Sequence, residues 1–537
     1  MNSAVPQRAI LAILAVVAVL LPFINKAFHI DDTLFLWMAQ QISQHPSDPY
    51  GFSVNWNSIV QPMFSLMQNP PLSSYYAAAA GSFLGWSEPA MHCAFLLPAV
   101  AAIVGTFFLA RRLSGSPLIA ALFTLFTPVF LISATTIMCD VWLLALWIWS
   151  IECWLRGIER NAWWLLTLAS VLAAAAALTK YFGISLVPLL AACTVASERR
   201  LTPRLLFLLI PLFALGGYEI LTKAKYGHGM FSAATTYRTW TGTPQKLFLK
   251  RALTGLSFTG GCLIGALFYA PFLKPRKLLV IGLGIFVTFL ALFYFFLARG
   301  LSSGVEIIAV TVEGALFATT AVGILALTAA DVVQRRTPDS VLLGFWVFGT
   351  FFFATFLNWS VTSRTLLPMA PPVAILLLRR FNVYRPGAKV DVSTWWPLLP
   401  AAIMSLLLAT ADYRLANTAR TASRRFQAQL RTELGTVWFQ GHWGFQYYME
   451  KWGAKPMDVA HAAVFSGDVI ILPAHNVGLA HLSSEKTILV EEVQYAPFPL
   501  VTTMTLRTAG FYSNGWGPLP WALTYVPPER YYLGRFR

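Results

Sequence analysis

The sequence predicts an all-α polytopic membrane protein that carries a small α/β domain after its last membrane helix. Three observations predict this fold class: 57% of the 537 residues are hydrophobic, only 12% are charged, and the mean hydropathy is +0.61. Soluble chains carry about 25% charged residues. With half that fraction, too little polar surface remains to cover a water-soluble globule. The composition therefore excludes a soluble multidomain enzyme, a disordered protein and a disulfide-stapled secreted domain.

Long apolar runs in the first 411 residues predict about thirteen membrane-spanning helices. A helical span needs about 20 apolar residues, and runs without strict alternation favour helices over a transmembrane barrel. The runs begin near Ala9, Met91, Pro117, Val141, Trp163, Gly183, Leu205, Ala252, Leu278, Ile307, Val341, Leu366 and Trp395. No small-residue cleavage site follows the first run, so we interpret it as a retained span and not as a signal peptide.

Basic clusters at every second boundary between these runs predict the orientation in the membrane. Arg111-Arg112, Arg199-Arg200 and Arg335-Arg336 are examples, and such clusters are typical of cytoplasmic loops. The pattern places the N-terminus in the cytoplasm and the C-terminal region outside, which is the periplasm if the membrane is a bacterial inner membrane. It also accounts for most of the net charge of +16. We therefore expect membrane lipids, and no nucleic acid, as partners.

Two large regions are expected on the outer side. The first is a loop over residues 29–90, which belongs to a transmembrane domain over residues 1–411. The second is an external soluble α/β domain over residues 412–537, with strands expected at 469–472 and 487–490. In this second region, residues 439–448 are rich in aromatic and amide side chains. Core packing is the favoured interpretation of that segment, and carbohydrate recognition is the alternative.

The cysteines and histidines indicate no structural metal site. Five cysteines lie in or beside apolar runs without metal-ligand spacing, so neither a disulfide framework nor a zinc site is expected. They are Cys93, Cys139, Cys153, Cys193 and Cys262. His29 lies close to Asp31, but no second histidine follows at ligand spacing. No cofactor is required on this evidence, although a divalent metal remains possible.

Five ionisable residues fall at the predicted outer face of the membrane region, where charge is costly unless it is used. They are Asp31, Asp32, Asp140, Lys180 and Arg364. Adjacent carboxylates repel each other, which can raise one pKa and create a base near neutral pH. Carboxylates beside cations at this face suit a lipid substrate that carries phosphate.

Each of these residues also has a structural interpretation. The Asp31-Asp32 pair and Asp140 could cap the helices that follow them. Lys180 could extend its ammonium group to the interface as an anchor, and Arg364 could pair with the phosphate of any lipid. Their shared position on one side of an independently drawn topology favours a functional site.

A family resemblance rests on short motifs in a fixed order along the chain. They are Asp31-Asp32, Asn69-Pro70-Pro71-Leu72 with Tyr75, Asp140, Leu178-Thr179-Lys180, and Arg364 to Pro368 with Pro371-Pro372. On these motifs the chain resembles the bacterial relatives of the protein O-mannosyltransferases and the lipid A aminoarabinose transferases. These are integral-membrane glycosyltransferases of the GT-C type, similar to glycosyltransferase family 39. The resemblance covers about residues 9–410.

The resemblance implies transfer of a sugar from a polyprenyl-phosphate donor, which is undecaprenyl phosphate in bacteria, to a lipid, glycan or protein acceptor at the outer face. Asp31 then matches the catalytic base. Asp32 stands where the family usually has Glu. Lys180 and Arg364 would bind the donor phosphate, Asp140 would orient the acceptor or a cation, and one in-line displacement would invert the anomeric carbon.

Two other functions stay open at the level of sequence. A lipid or small-molecule transporter could use the same ionisable residues along a translocation path, although no internal repeat typical of transporters is visible. An inactive binding or scaffold protein is the third possibility.

Overall fold

The computed structural model describes residues 4–240, 248–272, 276–384, 395–430, 433, 435–481 and 485–537. Within this part of the chain, ten helices are long and apolar enough to cross a membrane. They are Val5–Phe23, Glu88–Leu113, Asp140–Arg160, Tyr181–Glu198, Pro203–Tyr226, Leu279–Ala298, Gly304–Arg335, Pro338–Leu357, Ser363–Val383 and Leu398–Gln429. The bent pair Phe248–Cys262 and Gly265–Phe272, with an angle of 65°, forms an eleventh candidate span, and Trp163–Thr179 is a shorter apolar helix. The predicted fold class, a polytopic α-helical membrane protein, is confirmed.

All thirteen predicted apolar segments contain helix, and the segment near Pro117 is interrupted by a break of two residues. The segment that begins near Pro117 consists of two short helices, Pro117–Leu125 and Pro128–Ser133. Pro128 stands at the break, and proline disfavours a continuous helix because it lacks an N–H and its ring clashes with the preceding turn. Thr127 begins the second helix, since its Oγ1 accepts a hydrogen bond from Phe130 N at 3.3 Å.

Three of the long helices end at non-glycine residues with positive φ, which stops the helical ladder. These are Asn161 (φ 50°), Arg199 (φ 54°) and Arg336 (φ 53°). All three lie at or next to the basic clusters that predicted the orientation.

The region between the first and second spans is compact and largely ordered as short elements. Its helices are Asp32–Gln44, Met63–Leu66 and Leu72–Leu84. The strands Ser53–Asn55 and Val60–Pro62 pair in antiparallel fashion. Val54, Met63 and Ala77 of this region belong to the same buried core as Phe28 and Ile30 near its start.

The C-terminal region contains a five-stranded sheet and one covering helix. The strand order is Lys455–Pro456, Val437–Phe439, Val469–Pro473, Glu529–Phe536, Thr487–Tyr495. The first three strands are parallel to one another, and Glu529–Phe536 pairs with its two neighbours in antiparallel fashion. Helix Trp443–Lys451 connects two of the parallel strands. The expected strands at 469–472 and 487–490 are confirmed.

The C-terminal region is attached to the helical bundle in two ways. Helix Leu398–Leu430 is continuous and runs through the expected division between residues 411 and 412, so that division stays a prediction. Two short hairpins, Val501–Thr502 with Ala522–Leu523 and Met504–Thr505 with Ala509–Gly510, pack into the core of the 29–90 region. The indole Nε1 of Trp521 donates to the Gly261 carbonyl at 2.9 Å. The bundle and the C-terminal region therefore enclose the space between them.

Candidate active site

Four charged side chains from distant parts of the sequence meet at one end of the helical bundle. Arg364 Nη2 donates to Asp31 Oδ2 at 3.0 Å, and Arg364 Nη1 lies 3.7 Å from Asp140 Oδ2. Lys180 Nζ donates to Asp140 Oδ1 at 2.7 Å. The structure therefore brings together four of the five predicted site residues in one alternating chain of acids and bases.

Asp31 lies directly after a strained backbone position. Ile30 adopts φ 49°, a left-handed conformation that a β-branched side chain rarely takes. Such strain costs about 1–3 kcal/mol and persists only where the surroundings fix it, typically at functional sites. The turn at Ile30 directs the chain into helix Asp32–Gln44. The Asp31 carboxylate remains one-third exposed.

Helix geometry places Asp140 beside Lys180. Asp140 begins helix Asp140–Arg160, and Lys180 directly follows helix Trp163–Thr179. The two helices are joined by a two-residue connection and pack side by side, so the start of one lies next to the end of the other. An anion at a helix N-terminus and a cation at a C-terminus are each favourable. Gly183 permits the return of the chain, since a Cβ there would lie 2.3 Å from the carbonyl carbon of Ala176.

Arg364 is fixed from several sides. It lies in the short helix Ser363–Leu366, which begins when Thr362 accepts a hydrogen bond from Thr365 N at 3.3 Å. Its guanidinium carbon stands 5.5 Å from the ring centroid of Tyr512, a cation–π distance. Its Nη1 also contacts the sulfur of Met138. Arg364 thus connects both carboxylates to the C-terminal region.

Tyr512 is held in turn by a buried ion pair that the sequence analysis missed. Lys26 Nζ and Asp412 Oδ2 lie 2.5 Å apart and both side chains are fully buried. Tyr512 OH donates to the same Asp412 oxygen at 2.9 Å, and Thr503 Oγ1 donates to Asp412 Oδ1 at 2.7 Å. One signal was available, because Lys26 follows the first apolar run and Asp412 ends the last one, and such charges are costly. No sequence pattern marks Tyr512.

Asp32, the fifth predicted site residue, does not line the cavity described below. Its side chain is fully buried, and its two oxygens accept hydrogen bonds from His29 N and Ile137 N, each at 3.0 Å. Burial raises the pKa of Asp32 to about 7. The carboxylate therefore joins the backbone before Asp31 to the backbone just before Asp140.

A cavity of about 970 Å³ lies between the bundle and the C-terminal region. Asp31, Asp140, Lys180 and Arg364 all line it. The bundle residues that line it include the apolar Phe182, Ile184, Phe231, Phe353 and Leu357, beside polar ones such as Ser185 and Asn358. Its other side is contributed largely by the C-terminal region. The charged cluster therefore shares one cavity with apolar residues of the bundle and with residues of the C-terminal region.

The aromatic segment 439–448 serves two purposes in the structure. Phe439 and Phe445 belong to the core under the sheet, as core packing requires. His442 and Trp443 instead line the cavity. His442 also stacks on Trp56 of the 29–90 region, with ring centroids 4.3 Å apart and an interplanar angle of 20°. This stacked pair connects the two regions at the rim of the cavity.

Acidification is expected to destabilise the fold through buried histidines. Burial lowers the pKa of both His29 and His442 to about 4. Between pH 6.5 and 4 the unfolded chain binds protons that the folded chain does not, so stability falls by up to about 1.4 kcal/mol per pH unit for each histidine. His442→Gln should therefore show a smaller loss of melting temperature between pH 7 and pH 5 than the wild type, measured in lipid nanodiscs. The exposed His481→Gln is the control, and an unchanged loss in His442→Gln would contradict the assignment.

The described residues contain no group of three or more His, Cys, Asp and Glu side chains arranged to hold a metal ion. His29, which the sequence placed beside Asp31, packs edge-on against Tyr512 with centroids 5.6 Å apart. The sequence-based possibility of a divalent metal stays a prediction.

Comparison with known proteins finds a family model that matches part of the chain. Residues 68–217 match the family model described as dolichyl-phosphate-mannose-protein mannosyltransferase. The resemblance to these glycosyltransferases, expected from the motifs, is confirmed over this segment. It contains Asp140 and Lys180, whereas Asp31 and Arg364 lie outside it. No curated protein matches the sequence significantly.

Solved membrane glycosyltransferases show a distant likeness. The oligosaccharyltransferase of Archaeoglobus fulgidus, tethered to an acceptor peptide, aligns with a TM-score of 0.49 at 13% identity, over 85% of this chain and 64% of its own length. The same organism's AglB, in complex with an inhibitory peptide and a dolichol-phosphate, gives 0.47 at 15% identity, with 85% and 64% coverage. Apo ArnT from Cupriavidus metallidurans gives 0.44 at 14% identity, with 88% and 94% coverage. The chain thus spans less than two thirds of the archaeal enzyme.

Proposed function

We propose that the protein is a glycosyltransferase that moves a sugar from a polyprenyl-phosphate donor, undecaprenyl phosphate in a bacterial inner membrane, to an acceptor at the outer face. The observation that carries the proposal is the convergence of Asp31, Asp140, Lys180 and Arg364 on one large cavity. The family matched by residues 68–217 is named for a donor of this class, a sugar on a lipid phosphate.

Asp31 is assigned as the general base. It is the cavity carboxylate with the greater exposure, one-third against 2% for Asp140. In the reaction its carboxylate takes the proton of the acceptor hydroxyl, while the hydroxyl oxygen attacks the anomeric carbon of the donor. The bond from that carbon to the phosphate oxygen breaks, and the electron pair leaves with the phosphate. A good leaving group of this kind requires no general acid.

Lys180 and Arg364 are assigned to the donor phosphate. Cations placed where negative charge develops stabilise the departing phosphate, and arginine suits phosphate through its planar fork of donors. Arg364 Nε is buried and has no hydrogen-bond partner among the described residues. Asp140, which pairs with both cations, is assigned as the residue that positions them. The apolar bundle residues Phe182, Phe353 and Leu357 suit the polyprenyl chain.

The proposed function is tested with purified protein in nanodiscs and a panel of radiolabelled polyprenyl-phosphate sugars with membrane extracts as the acceptor source. A covalently labelled product is expected for at least one donor. The transporter alternative is tested in proteoliposomes. A transporter would move the labelled donor across the bilayer unchanged and would form no labelled product. Labelled donor that moves across the bilayer without transfer would overturn the proposal.

The orientation is part of the proposal and has its own test. Helix Asp140–Arg160 carries Asp140 at one end and Arg156 and Arg160 near the other, so about 30 Å separates the site from this basic end. Basic ends face the cytoplasm, which supports a site on the outer face. In a Cys93→Ala background, Ala460→Cys should react with an impermeant maleimide in intact spheroplasts and Asn161→Cys only after lysis. Reversed labelling would contradict the orientation.

A further inference from the structure

The cavity wall formed by the C-terminal region is aromatic. Trp443 and Trp516 line it side by side, with ring centroids 5.7 Å apart and an interplanar angle of 51°. Both indoles are half-buried, so part of each remains accessible from the cavity. Trp359 of the bundle lines the same cavity. We call Trp443, Trp516 and His475 the aromatic wall.

The backbone at Trp443 is under strain. Trp443 adopts φ 64°, a left-handed conformation in which a bulky side chain is an outlier. The surroundings fix it there: Asn476 accepts from His442 N at 3.1 Å, and a Cβ at Gly444 would lie 2.0 Å from the Phe28 carbonyl oxygen. Strain of this kind is maintained at ligand-binding positions.

The polar and charged groups around the wall narrow the chemistry of its ligand. Among the described residues that line the cavity, those from the C-terminal region include no Asp, Glu, Lys or Arg. His475 uses Nδ1 to contact Glu529 Oε2 at 3.3 Å, which leaves Nε2 for a ligand. The side chains of Gln68 and Asn69 lie on the same cavity. The hydrogen bond to Glu529 raises the pKa of His475. The wall therefore offers aromatic faces, hydrogen-bonding groups and one titratable imidazole.

A sugar ring has the matching surface. One face of a pyranose presents C–H groups that pack on the electron-rich face of an indole, and its edge presents hydroxyls that need hydrogen-bond partners. A phosphate is typically bound by Arg or Lys, and the described C-terminal residues that line the cavity include neither. An extended peptide binds mainly through backbone hydrogen bonds to a strand edge, and this wall consists of side chains.

We propose that the aromatic wall is the acceptor subsite and that the acceptor is a carbohydrate. This inference rests on the proposed function. The pyranose stacks on Trp443 and Trp516, and one of its hydroxyls faces Asp31. That hydroxyl oxygen forms the bond to the donor anomeric carbon, the Asp31 carboxylate takes the hydroxyl proton, and the phosphate leaves with the electron pair of the broken bond. The sugar can belong to a free glycan or to a glycolipid headgroup.

Binding is tested first, without the donor. The protein is placed in phospholipid nanodiscs free of glycoside detergents, which would compete as sugars. Binding is measured by calorimetry. The candidate ligands are di- to tetrasaccharides of hexoses and N-acetylhexosamines, glycolipids incorporated in the disc, and a peptide that contains serine and threonine. At least one saccharide, free or as a glycolipid, should bind, and Trp516→Leu should weaken it about tenfold, or about 1.4 kcal/mol. Trp516→Tyr should restore most of the affinity.

The control variant is Trp164→Leu, since Trp164 is 67% exposed on the bundle away from the cavity. It should bind saccharide as the wild type does. Trp443→Leu is a second test variant. It keeps the test decisive if Trp516→Leu fails to fold. The melting temperatures of all variants are measured to check their folding. Equal saccharide affinity in Trp516→Leu, Trp443→Leu and the wild type would overturn the inference.

Turnover then separates the two proposals. Transfer of the donor sugar to saccharide should fall in Trp516→Leu and stay at the wild-type level in Trp164→Leu, which lies outside the cavity lining. Saccharide binding by a wild type that never turns over any donor would support the subsite and overturn the proposed function. Transfer to the peptide with no transfer to any saccharide would leave the proposed function standing and overturn the subsite.

Discussion

Asp31→Asn is expected to reduce sugar transfer by about 10²–10⁴-fold at saturating donor, which is the contribution of a positioned general base. Asparagine has nearly the same shape, and its amide oxygen can still accept the hydrogen bond from Arg364 Nη2, now 3.0 Å from Asp31 Oδ2. It cannot take a proton from a hydroxyl. The fold and donor affinity should therefore be retained while the catalytic rate is lost, as measured by initial rates and donor titrations in nanodiscs.

The adjacent carboxylate provides a contrast with the opposite outcome. Asp32→Asn should lower the melting temperature. Asp32 accepts hydrogen bonds from two backbone N–H groups, and in the variant one of these donors would face the amide N–H₂, which is also a donor. Any remaining folded protein should keep its catalytic rate. Asp458→Asn, in the C-terminal region outside the cavity lining, should change neither property. Full transfer activity in Asp31→Asn would refute the assignment of the base.

The charged cluster could be predicted because helix ends are visible in a sequence. Asp140 begins one apolar run and Lys180 ends the next, so a short connection between antiparallel helices is enough to place them together. Arg364 and Asp31 could be predicted to lie near them because both fall at the same predicted outer face of the membrane region. The pairwise contacts could not be predicted, because the direction of a side chain at a helix end depends on packing between elements hundreds of residues apart.

The features that were missed share one physical origin. Tyr512 lies in a region of two-residue strands and turns, where no periodic pattern marks which side chain is buried. Lys26 and Asp412 are 386 residues apart, and neither alone indicates its partner. The division of residues 439–448 between core and cavity was missed for the same reason. Aromatic residues suit a core and a cavity equally well, and the strained turn at Trp443 decides which of them line the cavity.

The buried ion pair is expected to give the largest effects on stability. Lys26→Met leaves the Asp412 carboxylate buried without its cation, and Asp412→Asn leaves the Lys26 ammonium without its anion. Removal of one partner of a buried pair typically costs about 3–5 kcal/mol. Each single variant should therefore show a large fall in melting temperature in nanodiscs. Arg425→Met, which removes the 54%-exposed partner of Glu491, is the control and should cost no more than about 1 kcal/mol.

The double variant Lys26→Met with Asp412→Asn should be more stable than either single variant. Both charges are then removed from the interior, and the asparagine oxygen can still accept a hydrogen bond from Tyr512 OH or Thr503 Oγ1, both of which now bind Asp412. Because Tyr512 stacks under Arg364, the donor KM of the recovered double variant reports whether that ring has stayed in place. A fall in stability equal to the sum of the two single losses would show that the two charges do not interact, and would contradict the pair as the element that fixes Tyr512.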